Sequence, residues 1–372
     1  MRKTILSLCF VMLSAFSFAA DIIDSFVVDG VYRNYILHLP ASYTSLNQYS
    51  LVLNLHGYTS NADQERLYTA MNNTADANNF IVVYPNGIGN YWNAFGSGAD
   101  DVKFLDSLIE KLSRTYSIDR SSVYSCGMSN GGYMSYTLAC RLSQKIAAIA
   151  SVTGVMSNWN LANCTLAHKM PMMQIHGTAD PTVDYNTGGT GSMGVEATLL
   201  FWRDTNNCPL VSDTFDVPNT NVGDNCTAQL IRFQNCEQGS EVYFYKIFGG
   251  EHTWPGAFLT IAITNRDFEA STEIWNFFKR HKLNTTTGIR TIVEEEKTIA
   301  IYPNPFQNKL HLALESEDDF SITIVNSLGA VIYSGTKERV STFDTKNWPA
   351  GIYFAIMKRA QGSFTQKLIK GE

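Results

Sequence analysis

Three residues far apart in the sequence have the types and settings that nucleophilic catalysis requires. Ser129 lies in Gly127-Met-Ser-Asn-Gly131, which fits the pattern G-x-S-x-G, while Asp180 and His252 each follow an apolar, β-prone stretch. A serine hydroxyl becomes a nucleophile when a histidine takes its proton and an acid orients that histidine. We therefore predict that Ser129 is the nucleophile, Asp180 the acid and His252 the base.

The elements around Ser129 are those that a sharp nucleophile turn needs. Residues 123–126 predict a short buried strand, and a helical pattern runs over 133–142. Glycines between them let the backbone turn tightly and let strand and helix pack closely. Since the chain has 26 glycines, the pattern also fits a glycine-rich turn with an exposed serine. The strands predicted before Asp180 and His252 favour the catalytic interpretation, because sites form at that sheet edge.

His252 is the strongest candidate base among the histidines that follow Ser129. It follows a strand and a Gly-Gly turn, and it completes the chain order serine, acid, histidine. His176 lies too close to Asp180 to link that carboxylate to the serine, and His281 lies in a basic helix tail. A histidine held in a turn by backbone hydrogen bonds is the structural alternative for His252.

Two backbone N–H groups are expected to bind the oxyanion that forms during acyl transfer. One is the N–H of Asn130, because the first N–H groups of a helix are unpaired and attract negative charge. The other comes from the loop after the strand at 49–55, from either Tyr58 or Thr59. We interpret His56 in the same loop as a structural residue.

The loop at 85–98 carries aromatic residues that either stack on substrate or pack the loop itself. Trp92 is the candidate substrate contact there, with Tyr91 and Phe95 beside it. Asp100 and Asp101 precede an amphipathic helix predicted over 102–116, where capping and helix-dipole effects explain acidic residues better than catalysis does.

Composition and the N-terminal residues limit the partners and the compartment. The 372-residue chain has a formal net charge of −6, so there is no basic surface to suggest nucleic acid. Residues 1–19 have the basic start, apolar run and small residues of a signal peptide, and the run is too short to span a membrane. Export implies an oxidising compartment in which disulfides persist.

Six cysteines remain after the signal peptide, and their spacing alone does not fix their pairing. Cys126 falls in the predicted buried strand and is expected to be a free thiol, which leaves an odd number of other cysteines. The preferred disulfides are Cys140–Cys164 and Cys208–Cys236, and Cys226 stays unassigned. No C-x-x-C motif or His/Cys cluster is present, which disfavours a metal site. The acyl transfer expected of Ser129, Asp180 and His252 needs neither a metal nor an organic cofactor.

The sequence divides into two predicted domains. The catalytic candidates fall in an α/β domain at 20–283, and a polar linker with an acidic run follows at 284–298. Residues 299–372 show short alternating strands separated by turn residues, which predict a small all-β sandwich.

The motifs of the first domain resemble those of a known enzyme family. His56-Gly57, Gly127-Met-Ser-Asn-Gly-Gly132, His176-Gly-Thr-Ala-Asp180 and His252-Thr-Trp-Pro-Gly256 are similar to the secreted esterases grouped with polyhydroxybutyrate depolymerases, feruloyl esterases and acetylxylan esterases. The resemblance covers about 24–282.

This resemblance implies an α/β-hydrolase fold and cofactor-free ester hydrolysis by Ser129, Asp180 and His252. It also suggests a substrate-side role for Trp254. Glu251 departs from the family pattern, in which many members have a glycine before the histidine. A carboxylate there either raises the pKa of His252 or faces solvent.

The C-terminal domain resembles a secretion signal. Tyr302-Pro-Asn-Pro-Phe306, Gly351-Ile-Tyr-Phe354 and Lys367-Leu-Ile-Lys370 are similar to the C-terminal sorting domain of the type IX secretion system. The resemblance implies type IX machinery as a partner, export across the outer membrane of a Bacteroidetes-type bacterium and an extracellular or cell-surface location.

Several functions fit these motifs. The resemblance to secreted esterases favours removal of feruloyl or acetyl groups from plant cell-wall xylan, and polyhydroxybutyrate or polyester depolymerisation is the main alternative. A serine peptidase of the same fold is disfavoured, because no acidic pair that would bind a substrate amine is evident. A carbohydrate-binding protein with an inactive triad is a further alternative from a different class.

Overall fold

The computed structural model describes residues 19–283, 299–314, 321–327, 329–336, 340–359 and 362–371. The chain forms two compact units, Met1–Thr286 and Thr287–Glu372. The signal peptide predicted at 1–19 and the linker predicted at 284–298 lie almost wholly outside the described residues, and the domain boundaries stay a prediction. No helix in the described ranges is long and apolar enough to cross a membrane.

The first unit is built on one ten-stranded sheet. Its strands are β1 (Ala20–Val28), β2 (Val31–Leu39), β3 (Tyr49–Leu55), β4 (Ile81–Pro85), β5 (Ile118–Met128), β6 (Ala148–Val152), β7 (Met172–Gly177), β8 (Asp213–Asp216), β9 (Thr227–Phe233) and β10 (Val242–Phe248). Its helices are α1 (Ala62–Thr69), α2 (Met71–Asn78), α3 (Asp101–Thr115), α4 (Asn130–Arg141), α5 (Asn158–Asn163), α6 (Val195–Thr205) and α7 (Ala270–Phe278), with 3-10 turns at Ile88–Asn90 and Glu237–Gly239.

The strand order places the candidate catalytic residues along one sheet edge. The order is β1-β2-β4-β3-β5-β6-β7-β10-β9-β8, and β4, β3, β5, β6, β7 and β10 run parallel. The carboxyl ends of β5, β7 and β10 lead to Ser129, Asp180 and His252. Since only β6 lies between β5 and β7, the three residues belong to one short stretch of this edge.

Two apolar layers cover the sheet because its central strands alternate between its faces. Leu53 of β3 belongs to the layer that includes Phe104 of α3. Its neighbour Val52 belongs to the other layer, with Met71 of α2 and Phe277 of α7. Helices on both faces of a mostly parallel sheet confirm the predicted α/β-hydrolase fold.

The chain between β3 and β4 forms two short helices, although its sequence shows a helical pattern without a break over 64–78. Two helices, α1 and α2, meet at Ala70, which takes a left-handed conformation (φ 47°, ψ 29°). Thr69 ends α1 with its hydroxyl donating to Glu65 O at 2.8 Å. Alanine rarely adopts positive φ, and neither glycine nor proline marks the break in the sequence.

The second unit contains a three-stranded and a four-stranded antiparallel sheet. Its strands are β11 (Ile299–Tyr302), β12 (Lys309–Leu314), β13 (Ser321–Asn326), β14 (Val331–Thr336), β15 (Val340–Asp344), β16 (Gly351–Arg359) and β17 (Gly362–Lys370). The sheet orders are β11-β12-β15 and β14-β13-β16-β17. Leu310 from one sheet and Ile324 from the other share one buried cluster, which confirms the predicted all-β sandwich.

Two disulfides cross-link the first unit and confirm both preferred pairs. Cys140 of α4 bonds to Cys164 just after α5, and Cys208 bonds to Cys236. Cys126 and Cys226 are free and buried. Burial raises the pKa of the Cys126 thiol well above its ordinary value, so this group stays protonated and unreactive.

Candidate active site

Ser129 stands at a strained turn between β5 and α4. Its backbone has φ 53° and ψ −119°, a conformation that non-glycine residues seldom adopt and that recurs at functional sites. A Cβ on Gly127 would lie 2.4 Å from Leu55 O, and one on Gly131 would lie 1.9 Å from the same atom. Glycine at both positions therefore lets β3 approach the turn closely enough to fix the Ser129 backbone.

Asp180 is a buried carboxylate whose two oxygens have separate partners. The backbone N–H groups of Thr182 and Val183 both donate to its Oδ1 at 2.8 Å. Its Oδ2 lies 2.7 Å from His252 Nδ1, and the Asp180 side chain is fully buried. The turn after β7 thus fixes the carboxylate with one oxygen directed at the imidazole.

His252 is oriented by this contact. A carboxylate only accepts hydrogen bonds, so His252 Nδ1 carries the proton and Nε2 keeps its lone pair. Its side chain remains 16% exposed, so the imidazole is not closed off from solvent. In the described residues the Ser129 hydroxyl makes no hydrogen bond to His252. Asp180 and His252 are therefore joined directly, and Ser129 is placed at the same edge by the strand order.

Two other histidines near the edge have structural roles. His56 Nε2 accepts from Gly87 N at 3.0 Å, and its Nδ1 lies 2.8 Å from Gly57 O. His176 Nε2 lies 2.9 Å from Val183 O and 3.4 Å from Asp180 Oδ2. Burial lowers the pKa of both imidazoles, which keeps them neutral. The structural interpretation of His56 is confirmed.

The loop after β3 separates the two candidates for the second oxyanion donor. Thr59 N donates to Asn90 O at 2.8 Å, so the prediction that Thr59 supplies this N–H is wrong. Tyr58 N makes no backbone hydrogen bond in the described part of the chain, which leaves it as the candidate. Asn130 N opens α4 and lacks an acceptor within the helix. The oxyanion roles of Asn130 and Tyr58 stay predictions.

A cavity of about 330 Å³ lies beside Ser129. It is lined by Tyr58, Tyr91, Trp92, Asn93, Phe95, Ser97, Ser129, Asn130 and Tyr133. Five of these nine residues are aromatic, so the cavity offers flat apolar walls. The sequence pointed to the loop aromatics but missed Tyr133, whose place one turn into α4 was the available signal.

The two tryptophans singled out from the sequence differ in their surroundings. Trp92 lines the cavity, but its side chain is buried, and its indole N–H donates to His56 O at 2.9 Å. Trp254 is 1% exposed in the core layer of α7, with its indole N–H donating to Ser271 Oγ at 3.2 Å. Trp254 lies outside the cavity lining, so its predicted substrate contact is wrong.

Two acidic residues make contacts that their predicted roles did not include. The Glu251 carboxylate accepts from Ile263 N at 3.2 Å, so it holds a loop, and it makes no ion pair with His252 among the described residues. Asp100 caps α3, as predicted, by accepting from Lys103 N at 2.9 Å. Asp101 lies in the first turn of α3, as the helix-dipole interpretation requires, and it is also buried against Arg33, at 2.5 Å. Within the described ranges no group of three His, Cys, Asp or Glu side chains is placed to hold a metal.

Two family models match the chain. The model described as "Esterase PHB depolymerase" matches residues 33–188, and the model described as "Secretion system C-terminal sorting domain" matches residues 300–371. The first match includes Ser129 and Asp180, and the second covers the β-sandwich unit.

Individual proteins are similar to the first unit. The probable feruloyl esterase C of Aspergillus terreus is 30% identical over 240 residues, which cover 60% of this chain and 77% of that protein. A bifunctional acetylxylan esterase/xylanase of Neocallimastix patriciarum is 29% identical over 205 residues, 55% of this chain, and the match spans only 28% of its length. Among solved structures, an acetyl xylan esterase from Aspergillus awamori has a TM-score of 0.48 at 16% identity, covering 63% of this chain and 94% of that one.

Proposed function

This chain belongs to the esterase family that unites polyhydroxybutyrate depolymerase-type enzymes with the feruloyl esterases, and on that premise we propose that it is a serine esterase that removes feruloyl groups from plant cell-wall xylan. Its C-terminal sorting domain makes it an extracellular or cell-surface protein and gives it the secretion machinery as a partner. The choice of feruloyl as the acyl group rests on the aromatic cavity beside Ser129.

In the first step, Ser129 Oγ attacks the carbonyl carbon of the ester. His252 Nε2 takes the hydroxyl proton as the new C–O bond forms, and Asp180 stabilises the resulting imidazolium through its 2.7 Å contact with Nδ1. The His252 side chain is partly exposed and that of Asp180 is fully buried, so the base can meet substrate while the acid stays out of water.

The carbonyl oxygen becomes negatively charged in the tetrahedral intermediate. The N–H groups of Asn130 and Tyr58 donate to this oxygen, and one such donor contributes about 3–4 kcal/mol to the lowering of the barrier. The imidazolium then protonates the leaving alcohol, which departs as the carbonyl re-forms on Ser129. In the second step, a water molecule repeats the attack on the acyl-enzyme with His252 as base, and the carboxylic acid is released.

The cavity favours a flat aromatic acyl group over an acetyl group. Its volume of about 330 Å³ lies at the lower end of the roughly 300–1,000 Å³ range of small-molecule sites. The rings of Phe95 and Tyr133 lie with centroids 5.2 Å apart, and Tyr58 and Tyr91 add two further rings. A planar phenolic acid can stack on such walls, whereas an acetyl group leaves most of the volume unfilled.

Acetyl-xylan and polyester hydrolysis are the competing activities within the same family. A panel of methyl ferulate, acetylated xylan and polyhydroxybutyrate film separates them, and we expect the highest kcat/KM on methyl ferulate. A higher turnover of acetylated xylan or release of hydroxybutyrate from the film would refute the acyl assignment.

The nucleophile is tested with Ser129→Ala. We expect the variant to lose hydrolysis of p-nitrophenyl esters and covalent labelling by a fluorophosphonate probe while it keeps the circular dichroism spectrum of the wild type. Ser151→Ala is a matched control, because Ser151 Oγ is buried and donates to Gly154 O at 3.0 Å. A wild-type protein that the probe does not label would instead support the carbohydrate-binding alternative.

A further inference from the structure

The cavity takes most of its wall from one irregular segment, residues 91–98. Five of the nine lining residues come from this segment, which contains neither helix nor strand. Inside it, a backbone hydrogen bond joins Ala94 N to Trp92 O at 2.9 Å. A segment with so little internal bonding depends on its contacts with the rest of the protein to keep one conformation.

One end of the segment is attached to the nucleophile turn. Asn130 Oδ1 accepts from Trp92 N at 2.5 Å, and Asn130 Nδ2 donates to Trp92 O at 3.1 Å. The amide of Asn130 thus satisfies both backbone groups of Trp92. Because Asn130 directly follows Ser129, this end of the segment keeps its position relative to the nucleophile.

The next residue is attached to a buried ion pair on the far side. Asn93 N donates to Asp101 Oδ2 at 2.8 Å, while Asp101 Oδ1 accepts from Arg33 Nη2 at 2.5 Å. Asp101 is 2% exposed and Arg33 is 4% exposed. The Arg33 guanidinium also lies 3.8 Å from the ring centroid of Phe104, which leaves it little freedom to move.

We propose that Asp101, held in place by Arg33, is a positioning residue that sets the acyl specificity of the enzyme. It fixes Asn93 and, through the chain that follows, places Phe95 and Ser97 in the cavity wall. Asp101 is not a lining residue, so it acts through the segment and does not touch the substrate. This inference rests on the proposed function only in taking the cavity as the acyl site.

Each of the two carboxylate oxygens of Asp101 accepts from a different donor, so replacing one of them tests the proposal. In Asp101→Asn one oxygen is replaced by an NH₂ group, so either Asn93 N or Arg33 faces a donor where it had an acceptor. The segment then loses its fixed position, while Ser129, Asp180 and His252 keep theirs. We expect kcat/KM on methyl ferulate to fall at least about tenfold, mainly through a higher KM. With p-nitrophenyl acetate, whose acyl group is too short to depend on the segment, kcat/KM should stay within about twofold.

Asp100→Asn is the matched control, because Asp100 is the neighbouring residue and only caps α3. Asparagine is an equally good cap, so this variant should keep the wild-type rates on both esters. Asp101→Glu is the second variant, since it retains a charge for Arg33 but lengthens the side chain. It should shift the same substrate ratio if Asp101→Asn does not fold.

The ratio between bulky and small acyl groups separates a positioning role from a purely structural one. Loss of both activities in equal proportion, or an unchanged ratio in folded Asp101→Asn and Asp101→Glu, would overturn the proposal. The ratio of p-nitrophenyl octanoate to p-nitrophenyl acetate is measured in parallel. If the wild type does not act on methyl ferulate, the proposed function fails, and a changed octanoate ratio in the variants would still support the positioning role.

Discussion

The substitution Asp180→Asn changes one oxygen to an NH₂ group. The hydrogen bonds that Asp180 makes determine which way the new amide must face. Asp180 Oδ1 accepts from two backbone N–H groups, those of Thr182 and Val183, each at 2.8 Å. An asparagine must present its single carbonyl oxygen to these donors, because turning its NH₂ group toward them would leave three donors facing one another. The NH₂ group therefore points at His252 Nδ1, which has to accept.

The imidazole then carries its proton on Nε2, where the serine proton should go. His252 loses its function as a base without any displacement of its ring. The expected cost is about 10⁴-fold in kcat, which corresponds to about 5.5 kcal/mol of transition-state stabilisation. KM should change little, because neither residue lines the cavity.

The assay is steady-state hydrolysis of p-nitrophenyl acetate together with the rate of fluorophosphonate labelling, both of which should fall. Asp184→Asn serves as the control, since Asp184 lies in the same turn but is exposed, and its carboxylate accepts from the neighbouring Asn186 and Thr187. If folded Asp180→Asn keeps kcat within about tenfold of the wild type, the role of Asp180 as the orienting acid is refuted.

Three further predictions concern stability and the nucleophile turn. Burial raises the pKa of Glu65 well above its ordinary value of 4.5, so the folded state keeps a proton that the unfolded chain releases. The free energy of unfolding should therefore fall as the pH rises above 4.5, by up to about 1.4 kcal/mol per pH unit. Urea unfolding between about pH 5 and 7 should show this slope reduced in Glu65→Gln, and parallel profiles would contradict it. Replacing Cys208 and Cys236 by serine opens a loop with a sequence separation of 28 and should lower the free energy of unfolding by about 3–4 kcal/mol, with an unchanged urea midpoint as the opposing result. Gly131→Ala places a Cβ 1.9 Å from Leu55 O, so we expect about 3 kcal/mol of destabilisation and at least about a 100-fold loss of kcat; wild-type kcat would show that the turn tolerates the displacement.

The nucleophile turn was predictable from the sequence because its requirements are local. Gly127 and Gly131 are needed wherever a strand turns directly into a helix against a neighbouring strand, and the structure shows Leu55 O where their side chains would be. The disulfide pairs also agreed with the preferred pairing, although cysteine spacing by itself left them open.

Errors arose where a partner distant in sequence decides the role of a residue. Thr59 fits the oxyanion motif, yet its N–H is used by Asn90. Trp254 lies in a catalytic-looking motif but packs against residues of α7 in the core. The sequence shows residue types and neighbours along the chain, and neither reveals that a polar group already has a partner.

The ion pair of Arg33 and Asp101 had no sequence signal at all. The two residues are 68 positions apart, and Asp101 looks like one of two acidic residues at the start of a helix. Its carboxylate contacts Arg33 of β2 and Asn93 of the 91–98 segment, which only the folded chain brings to the start of α3. Only the assembled sheet distinguishes Asp101 from the exposed, helix-capping Asp100.

The attachment of the 91–98 segment at its start has a practical consequence. Trp92 and Asn93 are held by side chains that belong to other elements, Asn130 and Asp101, and Ala94 O accepts from Ser157 Oγ at 2.9 Å. With these three anchors kept, Phe95 and Ser97 are the lining residues of the segment that can be exchanged. Exchanging the side chains at these two positions would reshape the acyl pocket and leave the strained serine turn intact. The scaffold is thereby suited to directed evolution toward new acids, with diversity confined to the codons of these two residues.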